Sequence, residues 1–111
     1  YRNYMVLSPM VRAGTLPFKL LSPVYGAAFS YGEEFIDHSF VNCPRVIYES
    51  LGTTDFVERG TDCLVFRTCP QDTDKVVFQI CTSHAVRALH AAELVCNDIA
   101  AIDIHMGCST V

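Results

Sequence analysis

The 111-residue sequence contains no CxxC pair, no Asn-x-Ser/Thr sequon, no GxGxxG after its first apolar run and no GxxxxGK[ST]. The missing glycine motifs argue against the nucleotide-binding doubly wound folds. Positive charge is scarce: 8 Lys plus Arg face 12 Asp plus Glu, a net charge of -4. Such a chain offers no basic footprint for a nucleic-acid backbone, so any RNA contact must come mainly from elsewhere. No apolar stretch approaches the roughly 18 residues of a membrane helix. The short run Met5-Val6-Leu7 stops at Ser8-Pro9, well before the apolar core of about 7–15 residues that a secretory signal requires.

Apolar residues are plentiful. They make up 50% of the chain, with a mean hydropathy of +0.26, enough to build a core in a domain of this length. The six cysteines at 43, 63, 69, 81, 96 and 108 are therefore expected to be reduced thiols of a cytoplasmic protein rather than staples. The chain opens at Tyr1 and closes at Val111, three residues beyond Cys108. It reads as part of a longer product.

Along the chain, Met5 to Met10 reads as a strand leading into a loop. Thr15 is the expected N-cap of a helix with Pro17 in its first turn. Pro23 shortens or kinks that helix, and Gly26 ends it. Ala27 to Tyr31 is the next strand, and the acidic pair Glu33-Glu34 leads into a helical stretch from about Phe35 to Leu51 that Pro44 breaks. Leu64 to Thr68 and Val76 to Ile80 are β-branched and aromatic runs around a Pro70, Asp72 and Asp74 turn. They are expected to form a hairpin-like pair, the second strand lying in the core.

Ser83 then caps a helix with Ala85, Ala88, Leu89, Ala92, Val95 and Cys96 on its apolar face and His84, Arg87, His90, Glu93 and Asn97 on the other. Ile99 to Ile104 is the last strand. Apolar strands alternating with helices indicate an α/β fold with a parallel sheet. Four such units could open either a doubly wound sheet or an eight-stranded barrel. His38, His84 and His90 are not grouped with cysteines, so no metal site is expected.

Several motifs carry a family resemblance. Leu7-Ser8-Pro9-Met10-Val11, Gly14-Thr15-Leu16-Pro17-Phe18-Lys19, Tyr31-Gly32-Glu33-Glu34-Phe35-Ile36-Asp37, Val76-Val77-Phe78-Gln79-Ile80 and Asp103-Ile104-His105-Met106-Gly107-Cys108 fall in the order and spacing of the tRNA-dihydrouridine synthases. Val65-Phe66-Arg67-Thr68 resembles the eukaryotic branch acting on position 20 of the D-loop. The resemblance implies the N-terminal part, residues 1–111 holding the first four strand units, of a flavin-binding (β/α)8 TIM barrel. The implied reaction is reduction of the C5–C6 bond of a tRNA uridine with FMN and NADPH.

The same resemblance assigns site residues. Cys108 matches the family's proton donor. A thiol suits that task, because its ordinary pKa of about 8.5 leaves it protonated near neutrality yet able to release the proton. Pro9, Met10 and Gln79 match flavin contacts, and a buried amide needs partners such as a pyrimidine edge offers. Glu34 matches a substrate- or water-ordering carboxylate, with Glu33 pointing to water. His105 stands where the family normally carries Asn against the uracil, and Ser109 stands in place of its Pro. Cys96 and the remaining cysteines are expected to pack.

Residues 1–111 are expected to be inactive alone and unstable, with exposed barrel edges open to association. The alternatives are a truncated, non-enzymatic interaction or decay product of the same family and, further off, a barrel reducing a free uracil-type ring as the dihydroorotate dehydrogenases do.

Overall fold

The computed structural model describes residues 2–107. Its centre is a four-stranded sheet in the order β1 (Met5–Leu7), β2 (Ala27–Ile36), β6 (Val76–Cys81), β7 (Ala101–His105). All three of its pairings are parallel. The expected parallel α/β arrangement is thus present. Helix α1 (Leu16–Leu21) and a 3₁₀ turn over Ser22–Tyr25 connect β1 to β2, and α3 (Ala85–Val95) connects β6 to β7.

Thr15 precedes α1 in an extended conformation, with a proline in the first turn. The Pro23 turn ends at Gly26, whose φ of 97° is left-handed and disfavours any side chain. Gly14 is required for a different reason. A Cβ there would lie 2.6 Å from the Glu33 amide nitrogen and 2.7 Å from the Gly32 carbonyl carbon, so the loop after β1 could not approach β2.

Three expectations are corrected between Tyr31 and Val76. Strand β2 does not stop at Tyr31 but continues to Ile36. The predicted helical stretch from Phe35 to Leu51 is a single turn, α2 (Asp37–Phe40), followed by β3 (Arg45–Tyr48). The β-branched residues Val46, Ile47, Thr53 and Thr54 favour strand over helix, and a turn at Gly52, with φ 64°, reverses the chain into β4 (Thr53–Val57). Finally, β5 (Leu64–Thr68) does not pair with β6: it pairs antiparallel with β4, giving a second sheet β3-β4-β5. The crossover from β2 to β6 therefore contains a complete antiparallel sheet.

Phenylalanines join the two sheets. Phe35 of β2 stacks on Phe78 of β6 with centroids 4.8 Å apart and planes 13° apart. Phe40 of α2 lies 4.7 Å from Phe78 and 5.3 Å from Phe56 of β4. Phe66 of β5 closes the cluster edge-on to Phe78 at 5.3 Å. Phe56 and Phe66 are direct partners in the second sheet, so their register sets both rings against the first. Val76, Ile80, Ala91 and Val95 complete the core, confirming β6 as its central strand.

Helix α3 is rotated from the expected face. Ala91 and Val95 are buried, but Leu89 is exposed and Cys96 is exposed rather than packed. The face turned to the core is that of Ala91, Leu94 and Val95, and Arg87, assigned to the solvent face, reaches Asp37 at 3.1 Å. Ser83 does not cap the helix. The residue before it is His84, whose amide donates to the Thr82 hydroxyl at 3.1 Å. That hydroxyl donates to Asp37 at 2.7 Å.

Ion pairs fasten the periphery. Lys19 on α1 is 1% exposed. Its ammonium donates to Asp72 at 2.7 Å and to the Arg67 carbonyl at 3.0 Å, and it lies 4.6 Å from the Phe66 ring centre. Burial pulls its pKa below the ordinary lysine value, against the opposing pull of Asp72. Arg45 grips Asp98 with two bonds of 2.7 Å, tying β3 to the loop after α3.

Phe78→Ala removes the ring shared by both sheets and should cost about 3–5 kcal/mol, read by urea denaturation. A loss under about 1 kcal/mol would mean the cluster does not carry the junction. Asp37 supplies a second test. Burial alone would raise its carboxyl, but the Thr82 hydroxyl, the His38 amide and the Arg87 guanidinium hold it below the usual aspartate range. Its contribution is then full above about pH 4, the unfolded value, and is lost as pH falls through the lower folded value. Asp37→Asn should lower stability by about 1–2 kcal/mol at neutral pH, and the gap to wild type should close in acid. A gap that persists unchanged at acid pH would remove the carboxylate from that role.

Candidate active site

Parallel strands place all their carboxyl ends at one edge of the sheet, and side chains two apart on a strand share a face. On β6, Val76, Phe78 and Ile80 enter the aromatic core. Gln79 and Cys81 must then point to the opposite face. Register pairs Gln79 with Asp103 and Cys81 with His105 on β7, and Glu34 on β2 with Gln79. One sheet face thus carries Glu34, Gln79, Cys81, Asp103 and His105 near the carboxyl ends of three adjacent strands.

Hydrogen bonds order this band. Gln79 donates from its amide nitrogen to Asp103 at 2.7 Å. The His105 Nδ1 and a Glu34 carboxylate oxygen share a hydrogen bond. Cys81 is 2% exposed, and its sulfur lies with donor atoms of Glu34 and His105 in a group spanning no more than 4.8 Å. The side chains of Glu34 and His105 are 27% and 39% exposed. The band is therefore closed on the Cys81 side and open above Glu34 and His105.

The fold brings together residues that lie far apart in the sequence. Glu34 and His105, 71 positions apart, are in contact, and Gln79 sits between their strands. Pro9 and Met10 lie in the loop after β1, at the same edge of the sheet, Pro9 half-buried and Met10 exposed. Bonds from Ala13 to the Met10 carbonyl and from Thr15 to the Ala13 carbonyl turn this loop back onto β2. Cys108 lies outside the described residues. Glu33 does not point simply to water: it is half-buried and lines a cleft with Gly14, Thr15, Phe66 and Arg67.

Two members of the band are not singled out by sequence reasoning, Asp103 and Cys81. The signal is present as the spacing of two that pairs Asp103 with His105 and Gln79 with Cys81. Among the described residues no helix is long and apolar enough to cross a membrane.

Comparison with known proteins now bears on this geometry. The family described as Dihydrouridine synthase (Dus) matches residues 6–110. The chain belongs to the dihydrouridine synthase family. It is 36% identical over 97% of its length to the tRNA-dihydrouridine(20) synthase (NAD(P)+) of Schizosaccharomyces pombe. It is 39% identical, again over 97% of its length, to the protein of that name from Saccharomyces cerevisiae. It spans 23% and 30% of those relatives, respectively.

In this member of the dihydrouridine synthase family the His105 imidazole is held by Glu34. Gln79 is likewise held by Asp103, which accepts one hydrogen bond from its amide nitrogen. Gln79→Leu leaves the Asp103 carboxylate without this donor and should cost about 1 kcal/mol, the site being half-exposed. An unchanged urea midpoint would mean that water replaces the amide without loss.

Proposed function

We propose that this chain is the opening part of a flavin-dependent tRNA-dihydrouridine synthase, its parallel sheet forming the first four strands of a (β/α)8 barrel and the antiparallel sheet an insertion between the second and third. The observation that supports this most directly is the polar band Glu34, Gln79, Asp103 and His105 at the carboxyl ends of parallel strands, where barrel enzymes build their sites, in a chain of this family. The proposed parent is cytoplasmic and acts on a uridine in the tRNA D-loop.

FMN fits the residues present. Gln79, held by Asp103, has an amide oxygen of the kind that suits the ring N–H of a flavin pyrimidine edge, and Pro9 and Met10 stand in the loop after β1 at the same end of the sheet. FMN held there and reduced by NADPH would supply hydride chemistry for C6 of the uracil. The chain's own groups do the rest. Glu34 and His105 fix the uracil edge through a jointly oriented donor and acceptor, and Cys108 holds the proton that C5 takes up. A thiol performs that transfer without needing a strong base to recover its proton.

The 111-residue part is proposed to be inactive by itself. Barrel flavin sites take much of their phosphate binding from the loops after strands 7–8. Strands β1 and β7 are also sheet edges among the described residues, and Ile102 and Ile104 on β7 are exposed. Those edges would be covered by the rest of a barrel or by an associating chain. Cys108→Ser in the full-length parent should lower uridine reduction by about 10²–10⁴-fold while leaving flavin bound, measured by dihydrouridine content of tRNA and by flavin absorbance. Unimpaired turnover would remove Cys108 from the proton step. A stable complex of the natural chain with another protein, free of flavin, would favour the non-enzymatic reading.

A further inference from the structure

We propose that Arg12, in the loop after β1, binds a backbone phosphate of the tRNA beside the uridine being reduced. The inference rests on the tRNA-modifying function proposed above and adds a contact to it. The chain has eight cationic side chains. Lys19, Arg45, Arg67 and Arg87 are each ion-paired with a buried aspartate, Asp72, Asp98, Asp55 and Asp37 respectively, so their charge is neutralised within the fold. Among the described residues, Arg2, Arg12, Arg59 and Lys75 make no ion pair. Strand direction separates these four. Arg2 precedes β1 and Lys75 precedes β6, which puts both at the amino edge of the parallel sheet, away from the candidate site. Arg59 lies in the β4–β5 turn of the second sheet, with Glu58 and Asp62 in the same turn. Arg12 follows β1 and alone of the four stands at the carboxyl edge, the edge that carries Glu34 and His105.

The backbone supports a role beyond solvation. Arg12 has a φ of 64°, a left-handed conformation that an arginine adopts at a steric cost. Its loop is fixed in that shape: the Ala13 amide donates to the Met10 carbonyl at 3.2 Å and the Thr15 amide to the Ala13 carbonyl at 2.8 Å, while Gly14 lies against Gly32 and Glu33 too closely for a side chain. Glycine or asparagine would take the turn at position 12 more readily, so the turn does not call for arginine. The side chain is exposed, so packing does not call for it either. RNA chemistry does. Enzymes that act on a base take it out of its stack, which brings the flanking phosphates to the rim of the site, where Glu33, Glu34 and a net charge of -4 repel them. A guanidinium on that rim offsets the repulsion and grips a phosphate with two parallel hydrogen bonds, which an ammonium cannot match.

In the full-length protein, Arg12→Gln should raise KM for tRNA about tenfold with kcat unchanged. The slope of log affinity for tRNA against log salt should become shallower by about 0.7–0.9, the share of one phosphate. FMN and NADPH carry phosphates of the same chemistry, so flavin content and KM for NADPH are measured alongside and should not move. Arg12→Lys should restore the salt slope while recovering KM only in part. Arg12→Gly keeps the turn without the guanidinium and should match Arg12→Gln, and Lys75→Gln, at the opposite edge, should behave as the unsubstituted protein. If Arg12→Gln leaves KM for tRNA and the salt slope unchanged while the unsubstituted protein reduces tRNA, the proposal alone is overturned. Loss of flavin or a raised KM for NADPH with tRNA binding intact overturns it in favour of a cofactor phosphate, and a wild-type KM in Arg12→Gly overturns it in favour of loop shape. An unsubstituted protein that neither binds nor reduces tRNA removes the proposed function itself, and this contact with it.

Discussion

Five phenylalanine rings from five different elements meet at one point, and the rest of the architecture is arranged around that contact. Phe35, Phe40, Phe56, Phe66 and Phe78 come from β2, α2, β4, β5 and β6. No short-range pattern could assemble them. Each ring buries on the order of 150–250 Å², and together they oblige the antiparallel sheet to lie against the parallel one. Because Phe78 alternates with Gln79 and Phe35 with Glu34, burying the rings also turns the polar residues to the opposite face. The candidate site is in this sense the reverse side of the core.

Charge is used at the margins of this arrangement and hydrophobic burial at its centre. Lys19 with Asp72 and Arg45 with Asp98 each span about fifty residues of sequence, and each fastens a peripheral element to the framework. Pairs with a buried carboxylate are weak sources of net stability, because desolvation opposes the attraction. Their effect lies in direction. An ammonium with three donors, enclosed by a carboxylate, a carbonyl and an aromatic face, admits α1 in only one placement.

Much of the parallel sheet was legible from sequence, since Met5 to Leu7, Val76 to Ile80 and Ala101 to Ile104 are apolar runs bounded by turn residues. The region from Phe35 to Val57 was not, and Leu64 to Thr68 was legible as a strand but not in its pairing. Its strands are short, they alternate in a way that mimics one helical face, and their pairing depends on Phe56 finding Phe66, a tertiary contact that overrides local propensity. The face of α3 was misjudged because periodicity counts an alanine and a leucine alike, whereas the helix turns Ala91, Leu94 and Val95 to the core and leaves Leu89 exposed. In the site, the family resemblance singled out Glu34, Gln79 and His105, which the fold brings onto one face, whereas their neighbours Cys81 and Asp103 emerged only from strand register. Cys108 falls beyond the described residues, so its part rests on the family alone.

The antiparallel sheet inside the β2–β6 crossover bears on the order in which the chain can fold. Direct pairing of β2 with β6 closes a loop running from Ile36 to Val76, and the entropy of that closure must be met before any parallel bond repays it. Strands β3, β4 and β5 pair with their neighbours in sequence and close only short loops. Once formed, they bring Tyr48, Thr53 and Thr68 into fixed register and shorten the span still free to fluctuate. The second sheet, built from neighbours in sequence, thus has the lower loop-closure cost of the two.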